Sequence, residues 1–474
     1  MKKTIAVLLS LVMILAVFSA CSAPAASESP SESASTPASE SPSESESAPA
    51  EKGVINLYTF TEEVPGMIDK YIEAHPDFGY TINATVIATT DGLYQPALDQ
   101  ALAAGGADAP DMYCAESAFV LKYTQGDMAE YAAPYADLGI DVDAMTKAAD
   151  IANYTIQIGT RPSDSALVGL GYQATGSAFI YRRSLAKDTW GTDDPAQIAT
   201  KIGPGWDKFF AAAAELKAKG YAIVSGDGDI WHAIENSSDA GWVVDGKLTI
   251  DPKREAFLDY SKELTDKGYS NITQDWQDAW YADMQGIGEQ PVFGFFGPAW
   301  LINYVMAGHS GATFDDAGKL VEVGGTYGDW AVCEPPVGFF WGGTWLIANK
   351  DSEKKEAVAE LIKWITLQCD EDSLQYAWAN GTISDAGTKD TVASNTVMAI
   401  SNGELDFLGG QNMFEVFGKA NAAANGSNLT QYDETINNIW RDQVRQYAAG
   451  NISRDDAIAA FKQAVGDQLD ITVE

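Results

Sequence analysis

From residue 53 onward, short apolar runs alternate with longer amphipathic segments, and this alternation limits the folds open to the chain. Residues 54–60 and 80–86 have the pattern of β-strands, and each is followed by a helical pattern, over 65–75 and 93–104. Further pairs of this kind follow toward the C terminus. Strands that alternate with helices form βαβ units. The sequence therefore predicts an α/β fold with mostly parallel sheets flanked by helices on both faces.

The length of this body indicates two lobes rather than one. Residues 53–474 are too many for one ordinary hydrophobic core. Within them, residues 291–308 are apolar except for Asn303, as a membrane span would be. Prolines and glycines break that run into a strand, a turn and a helix, so we interpret it as core.

The N-terminal segment is predicted to be a signal peptide followed by a tether. In residues 1–20, two lysines precede an apolar run of roughly 14 residues, short of the roughly 20 that span a bilayer. Residues 18–21 (FSAC) resemble a bacterial lipoprotein box, whose cysteine, here Cys21, is lipidated. Residues 21–52 are almost entirely Ser, Ala, Pro and Glu, which cannot bury enough surface to fold. As a flexible coil this tether would span roughly 30 Å.

Charge and cysteine content exclude several kinds of partner and cross-link. The formal net charge is −37, which repels nucleic acid and anionic lipid. We therefore expect no nucleic-acid partner, and contact with a membrane only through a lipid anchor. Beyond Cys21, the cysteines Cys114, Cys333 and Cys369 are odd in number and far apart, so they form no disulfide framework. One pair could close, and the sequence leaves open which; we expect free thiols.

Motifs for catalysis and cofactor binding are missing from the sequence. No G-x-x-x-x-G-K-[ST] or G-x-G-x-x-G occurs, so no nucleotide is expected. The histidines are His75, His232 and His309, and no H-E-x-x-H or G-x-S-x-G is present, so no metal site or catalytic triad is indicated. We predict no cofactor and no enzyme activity. A glycosidase with two carboxylates stays open, because carboxylates are plentiful.

Aromatic residues near turns are the feature that points to a ligand. They follow strand patterns or flank glycine turns, and they are Tyr172, Trp231, Trp276, Trp280, Trp300 and Trp341. A sugar ring needs a flat aromatic surface for its C–H face and carboxylates or amides for its hydroxyl groups. Any one tryptophan is more often core, and we assign Trp190, Trp206, Trp364 and Trp378 to the core. Open α/β sheets bind ligands at the carboxyl ends of their strands. Because the six aromatic residues cluster at strand ends or glycine turns, together they predict a binding cleft.

Several short motifs in order then resemble the extracellular solute-binding proteins of carbohydrate ABC importers, the group that includes maltodextrin-binding protein. The resemblance covers 54–474, and it is carried by 54–58 (VINLY), 101–105 (ALAAG), 109–113 (APDMY), 172–181, 182–185 (RRSL), 206–209 (WDKF), 297–300 (GPAW) and 341–345 (WGGTW). Such proteins are similar to one another in having two α/β lobes that close on a sugar by hinge motion.

The resemblance implies lobe boundaries and site residues. It implies chain crossings near Tyr172, Gly288 and Trp345, so that lobe one is 53–172 plus 289–345 and lobe two is 173–288 plus 346–474. The loop after the first strand would bring Thr61 and Glu62 to the cleft. The end of the third strand would bring Glu116, and the Gly-Pro-x-Trp turn would bring Trp300. Where maltodextrin-binding protein has an acid after its hinge tyrosine, residues 176–177 here are Gly-Ser, which leaves the ligand open.

The functional prediction combines these observations. The polar candidates for the cleft are Glu62, Glu116, Asp229, Asp278 and Asp385. We predict a monomeric, lipid-anchored receptor on the outer face of the cell membrane that hands a sugar to an ABC permease unchanged. Two alternatives remain: the same scaffold binding a non-sugar solute such as a polyamine, or a surface glycosidase.

Overall fold

The computed structural model describes residues 52–89, 92–383 and 386–474, and these belong to one compact unit. The predicted signal peptide, Cys21, the tether up to residue 51 and Asp385 lie outside the described residues. The strands are β1 Gly53–Thr59, β2 Tyr80–Val86, β3 Met112–Glu116, β4 Thr160–Arg161, β5 Ala166–Leu167, β6 Gly169–Gly171, β7 Ala178–Arg182, β8 Val243–Val244, β9 Lys247–Leu248, β10 Gly294–Gly297, β11 Thr313–Phe314, β12 Leu320–Glu322, β13 Trp330–Cys333, β14 Thr344–Ala348, β15 Glu404–Leu405 and β16 Gln411–Asn412.

Helices make up most of the rest of the described chain. The α-helices are α1 Glu63–Ala74, α2 Tyr94–Ala104, α3 Val120–Thr124, α4 Val142–Ala149, α5 Asn153–Gly159, α6 Arg183–Trp190, α7 Pro195–Ile202, α8 Trp206–Lys217, α9 Gly228–Asn236, α10 Pro252–Asp266, α11 Asp278–Gln285, α12 Lys355–Ile362, α13 Leu374–Ala379, α14 Asn395–Ile400, α15 Phe414–Ala423, α16 Asp433–Ala448 and α17 Arg454–Gln468. Short 3-10 helices are Pro76–Phe78, Ala129–Tyr131, Tyr135–Leu138 and Asp406–Leu408, and π-helices are Leu301–Met306 and Lys363–Leu367.

The first lobe is built on a five-stranded sheet of order β2-β1-β3-β14-β6. Strand β1 runs parallel to β2 and β3, while β14 runs antiparallel to β3 and β6. Ile55 and Leu57 of β1 are fully buried, which matches the apolar pattern of that strand. The carboxyl ends of β1 and β3 therefore lie at one edge of this sheet, where the chain leaves toward Phe60 and Ser117.

The second lobe contains a three-stranded sheet of order β10-β7-β13 in which both pairings are antiparallel. The first sheet is thus mixed and the second is antiparallel, so the expectation of mostly parallel sheets is wrong. The apolar pattern predicts that these strands are buried, but it carries no information about their direction. The relative direction of two paired strands depends on the path of the chain between them, and only the folded structure shows that path.

Strand pairing also corrects the predicted lobe boundaries. β10 and β13, both within 289–345, pair with β7 of the second sheet and not with the first sheet. β14, most of which lies within 346–474, pairs with β3 and β6 of the first sheet. Residue 288 is consequently not a crossing, and the chain crosses between Gly171 and Ala178 and again between Cys333 and Thr344. The other parts of the proposed division stay a prediction.

The apolar run at 291–308 folds as β10, a turn at Pro298 and the π-helix Leu301–Met306. No helix among the described residues has the length and apolar character needed to cross a membrane. Cys114, Cys333 and Cys369 are free, and the first two are buried. Trp364 and Trp378 are buried, and Trp190 and Trp206 pack partly buried against the core, as their assignment to the core predicts.

Candidate functional site

Four tryptophans from separate segments of the second lobe and its connection to β14 form one aromatic cluster. The indoles of Trp276 and Trp300 lie almost parallel, with ring centroids 6.2 Å apart. Trp341 meets Trp300 edge-on at 4.8 Å, and Trp280 lies 5.5 Å from Trp276. Trp280 is buried and Trp276 is 48% exposed, so the cluster extends from the core to the surface. The structure brings together four of the five tryptophans that the sequence selected.

The glycine pair beside Trp341 makes room for this cluster. The backbone of Gly342 has φ of +79°, and a Cβ built there would lie 3.0 Å from Nε1 of Trp300. Nε1 of Trp300 donates a hydrogen bond to the backbone oxygen of Trp341 at 2.9 Å. Gly343 follows with φ of +113°. Both backbone conformations favour glycine, and the missing side chain at 342 lets an indole pack directly on the main chain.

The imidazole of His232 covers part of Trp341. The imidazole stacks on the indole with centroids 4.5 Å apart and an interplanar angle of 20°. Nδ1 of His232 lies 3.1 Å from Oε2 of Glu235, one turn further along α9. The carboxylate thus fixes the orientation of the imidazole, and the imidazole in turn supports the indole.

A cavity opens beside Trp341, and its walls come from both lobes. The first lobe contributes the end of β3 and the start of α3, and the second contributes α9, the beginning of α16 and the segment that crosses between the lobes. The lining residues are Glu116, Ser117, Ala118, Leu121, His232, Glu235, Asn236, Phe340, Trp341, Gly342, Leu429, Thr430, Asp433, Glu434 and Asn437. Aromatic, amide and carboxylate groups therefore face one space at the junction of the two sheets.

Glu116 is the predicted acid that reaches this cavity. It follows the fully buried stretch of β3, at the carboxyl end of the strand. Its carboxylate accepts hydrogen bonds from the backbone N–H of Ala118 at 2.7 Å and the hydroxyl of Ser117 at 3.0 Å. Burial raises the pKa of Glu116, and the nearby charge of Glu434 acts in the same direction. Glu434 itself accepts a hydrogen bond from Nε2 of Gln95 at 3.0 Å, which joins α16 to α2.

Two further carboxylates line the second-lobe wall. Burial opposes ionisation of Glu235, but hydrogen bonds from His232 and Asn437, with the charge of Arg254, hold its pKa below the usual value. Asp433 differs, because burial raises its pKa to about 7. Its Oδ1 accepts a hydrogen bond from the hydroxyl of Thr430, whereas its Oδ2 has no hydrogen-bond partner.

Asp229, predicted for the cleft, is instead a buried structural acceptor. Its Oδ2 accepts hydrogen bonds from the backbone N–H groups of Ser225 and Gly226 at 2.8 and 2.9 Å, and its Oδ1 accepts one from Nε1 of Trp280 at 2.9 Å. Burial raises the pKa of Asp229 to about 7. The side chain organises the start of α9 and fixes Trp280, and it does not line the cavity.

Trp231 also departs from its predicted position. It is 1% exposed and packs against Phe257 with centroids 4.9 Å apart, inside the second-lobe core. Successive residues of a helix point about 100° apart, so α9 directs either Trp231 or His232 toward the cavity. It is His232 that faces the cavity, and the placement of Trp231 in the cleft is corrected.

The remaining predicted residues lie away from this cavity. Thr61 and Glu62 are exposed at the start of α1, and Asp278 is exposed at the start of α11. Tyr172 is buried where the chain leaves the first sheet, and its hydroxyl donates to Glu63. Asp385 lies outside the described residues.

Most of the polar lining residues that sequence reasoning missed come from two helix faces. Along α9 the lining positions are 232, 235 and 236, and along α16 they are 433, 434 and 437. Spacings of three and four place these side chains on one face of each helix. This polar periodicity is visible in the sequence, but solvent-exposed helix faces show the same pattern. Only the packing of α9 and α16 at the junction identifies these faces as a wall.

A second pair of carboxylates, the partly buried Glu63 and the buried Asp390, lies near the crossing between the lobes. Glu63 of α1 accepts a hydrogen bond from the hydroxyl of Tyr304 at 3.0 Å, which links the first lobe to the π-helix after β10. Asp390 accepts from the backbone N–H of Thr391 at 2.7 Å and from Nε2 of Gln173 at 3.1 Å. Burial raises the pKa of each acid to about 7, and the charge of Glu63 adds to the effect on Asp390.

Metal binding has no candidate site in the part of the chain that the structure describes. There, no group of three or more His, Cys, Asp or Glu side chains is arranged to hold an ion.

Comparisons with known proteins identify the family and the fold. Residues 66–403, more than half of the chain, match the family model described as a bacterial extracellular solute-binding protein. No curated protein sequence matches the chain. A solved extracellular solute-binding protein of family 1 has 20% identity and a TM-score of 0.68, and the match covers 87% of this chain and 99% of that one.

Two further solved structures are similar over most of their length. The galacto-N-biose/lacto-N-biose I-binding protein of an ABC transporter from Bifidobacterium longum, solved with lacto-N-biose, has 16% identity and a TM-score of 0.62, covering 89% of this chain and 98% of its own. The sugar-binding protein MalE from Xanthomonas citri has 14% identity and a TM-score of 0.61, and the match covers 87% of this chain and 96% of that one. At these identities the likeness concerns the fold, and it confirms the predicted two-lobe α/β architecture.

Proposed function

The chain belongs to the family of bacterial extracellular solute-binding proteins, and on that premise we propose that it captures a sugar or oligosaccharide in the cavity beside Trp341 and delivers it to the permease of an ABC importer. Family membership confirms the resemblance seen in the sequence. The likeness to structures of sugar-binding proteins supports a saccharide as the solute.

The observation that carries the proposal is the combination of groups around Trp341. The wall contains an indole and the ring of Phe340, and the same space is lined by the amides of Asn236 and Asn437 and the carboxylate of Glu116. A saccharide has an apolar C–H face and a rim of hydroxyl groups, so it needs both kinds of partner at once. A purely apolar solute would leave the remaining hydrogen-bonding capacity of these amides and carboxylates unused.

Contribution from both lobes explains how binding can drive closure. Glu116 belongs to the first lobe, while Asn236 and Asn437 belong to helices of the second lobe. A ligand that touches all of them interacts most strongly when the lobes approach, and this differential affinity shifts the population toward the closed form. The two chain crossings, between 171 and 178 and between 333 and 344, are where we place the hinge.

The delivery part of the proposal rests on the N-terminal segment. Lipidation of Cys21 and the tether up to residue 52 would hold a monomeric receptor at the outer face of the cell membrane, close to its permease. The solute leaves chemically unchanged, because the binding role needs no catalytic step.

A thermal-shift screen followed by calorimetry tests the function. The purified body of the chain would be heated with a panel of neutral saccharides, amino sugars and polyamines. Ligand at a hundred times its dissociation constant should stabilise the folded form by about 2.7 kcal/mol. Binding of polyamines alone would favour the non-sugar alternative. Release of monosaccharide during incubation with oligosaccharides would favour the glycosidase alternative.

A further inference from the structure

The cavity beside Trp341 is lined by more carboxylates than the protein balances with cations. Four of its lining side chains are carboxylates, namely Glu116, Glu235, Asp433 and Glu434, and no lysine or arginine is among the lining residues. They come from both lobes, so closure brings negative charges toward one another. From this arrangement we infer that the preferred ligand is an amino sugar with a free, protonated amine. The inference rests on the proposed function and narrows it.

The compensation of these carboxylates within the protein is incomplete. Glu235 is paired with His232 and accepts from Asn437. The Glu116 carboxylate accepts hydrogen bonds from Ser117 and Ala118 in its own turn. The Glu434 carboxylate accepts a hydrogen bond from the neutral amide of Gln95. The charge of Arg254 acts on Asp433 from the interior, but this guanidinium is fully buried over the ring of Trp242 and does not line the cavity. No lysine or arginine lines the cavity, and the imidazole of His232 is already paired with Glu235.

Asp433 supplies an independent observation that points to a ligand. Its side chain is 5% exposed and lines the cavity, and its Oδ2 has no hydrogen-bond partner in the described structure. A buried polar atom without a partner is costly, and a charge-assisted hydrogen bond from an ammonium group is a strong way to satisfy a carboxylate. A hydroxyl donor would satisfy the atom more weakly.

The other walls favour a sugar ring over a linear polyamine as the carrier of that amine. The indole of Trp341 offers a flat face for C–H groups and an electron-rich surface for a cation. Asn236 and Asn437 line the same space, and their amides can pair with ring hydroxyl groups, which a polyamine lacks. An amino sugar uses the aromatic face, the amides and the carboxylates together.

Matched pairs of sugars test the inference by titration calorimetry on the whole body of the chain. Each pair compares an amine with its neutral analogue: glucosamine with glucose, galactosamine with galactose, and fully deacetylated chitobiose with cellobiose. The N-acetylated forms provide a third arm, because they keep the nitrogen and lose its charge. We expect the amine of at least one pair to bind at least tenfold more tightly than both of its uncharged analogues.

The outcomes separate this inference from the proposed function. If neutral or N-acetylated sugars bind and no amine binds more tightly, the inference is overturned and the function stands. If no saccharide of any kind binds, or if only spermidine or putrescine binds, both are rejected. A preference for the amine that weakens as salt rises supports the inference, because ionic strength screens partly exposed charges.

Substitutions assign the effect to the named carboxylates. Glu434→Gln and Asp433→Asn should each lower the ratio of amine affinity to neutral-sugar affinity by at least threefold. Glu434 is exposed, so its variant keeps the test valid if Asp433→Asn folds poorly, as a thermal melt would show. Asp467→Asn, at an exposed position of α17, is the matched control and should leave the ratio unchanged. If Asp433→Asn folds and the affinity ratio is unchanged in both variants, the inference is overturned.

Discussion

The indole N–H of Trp300 donates a hydrogen bond to the backbone oxygen of Trp341 at 2.9 Å. This bond ties the turn after β10 to the second crossing between the lobes, so an aromatic side chain and the hinge backbone are held as one unit. Movement of the crossing segment on closure therefore carries the aromatic cluster with it, and changes at either residue should affect ligand binding.

Loss of the indole at the cavity wall should weaken binding. Trp341→Ala removes the flat surface beside Glu116 and should raise the dissociation constant for a saccharide at least tenfold, or about 1.4 kcal/mol. Trp341→Phe retains an aromatic face and should lose less. Calorimetry with the best ligand of the screen measures both variants, and an unchanged constant for Trp341→Ala would refute the position of the site.

Adding a methyl group at Gly342 should disturb both stability and binding. Gly342→Ala places a Cβ 3.0 Å from the Trp300 indole in a left-handed backbone, and the backbone strain alone costs about 1–2 kcal/mol. Gly139→Ala is the matched control, since Gly139 has a similar φ of +77° with no atom within 4 Å of its Cβ. Urea unfolding should show a lower free energy of unfolding for both variants. Only Gly342→Ala should also lose ligand affinity. Equal affinity in the two variants would contradict the packing argument.

Removal of the Asp229 carboxylate should destabilise the second lobe. Asp229→Ala leaves two backbone N–H groups and the Trp280 indole N–H without their acceptor, which should cost about 2–3 kcal/mol of unfolding free energy. Asp278→Ala is the control, because this exposed acid at the start of α11 should change stability by less than about 0.5 kcal/mol. Chemical denaturation followed by tryptophan fluorescence measures the unfolding free energy of both variants. A similar loss in the two would contradict the structural role assigned to Asp229.

The free energy of unfolding should fall as pH rises toward the raised pKa values of the buried carboxyl groups. The pKa of Asp390 is raised by burial from 3.8 to about 7, so between those values the folded state binds more protons than the unfolded state. Stability is therefore highest at the acidic end of this window and is lost toward pH 7, with a slope of at most about 1.4 kcal/mol per pH unit for one group. Unfolding by urea from pH 5 to pH 8 measures the slope.

The variant Asp390→Asn should reduce that slope by removing the titrating group. It keeps an oxygen that can accept from the Thr391 N–H and removes the charge beside Glu63. Glu62→Gln, an exposed neighbour on the same turn as Glu63, is the control and should leave the slope as in the parent. A slope that Asp390→Asn does not change would show that other groups cause the pH dependence.

Replacement of the predicted lipidation site should release the protein from membranes. Cys21→Ser removes the only residue that the lipoprotein box offers for acylation, so the chain should shift from the membrane fraction to the soluble fraction. Cys369→Ser, a change at a free cysteine of the body, should stay with the parent distribution. Fractionation and immunoblotting of cells check the result, and membrane retention of Cys21→Ser would reject the anchor.

Sequence patterns selected four tryptophans that the structure brings together, and one of them, Trp341, lines the cavity. Trp276, Trp280, Trp300 and Trp341 were selected because they lie near turns, and they form one cluster. Large apolar rings beside glycines restrict where a chain can place them, so local sequence carries this signal. Of the predicted acids, Glu116 alone lines the cavity among those that the structure describes, because an acid on a solvated helix face has the same local sequence as one in a cleft.

Alternation of strand and helix patterns by itself determined the α/β class, and the change of composition near residue 53 by itself marked where those patterns begin. Periodicity and burial are local properties of the chain, which is why one sequence suffices to see them. Only the tertiary structure decided that β10 and β13 join the second sheet, that β14 joins the first, and that His232 rather than Trp231 faces the cavity. Strand partners and helix rotation depend on long-range hydrogen bonds and packing, and these contacts between distant residues leave no periodic mark in the segments themselves.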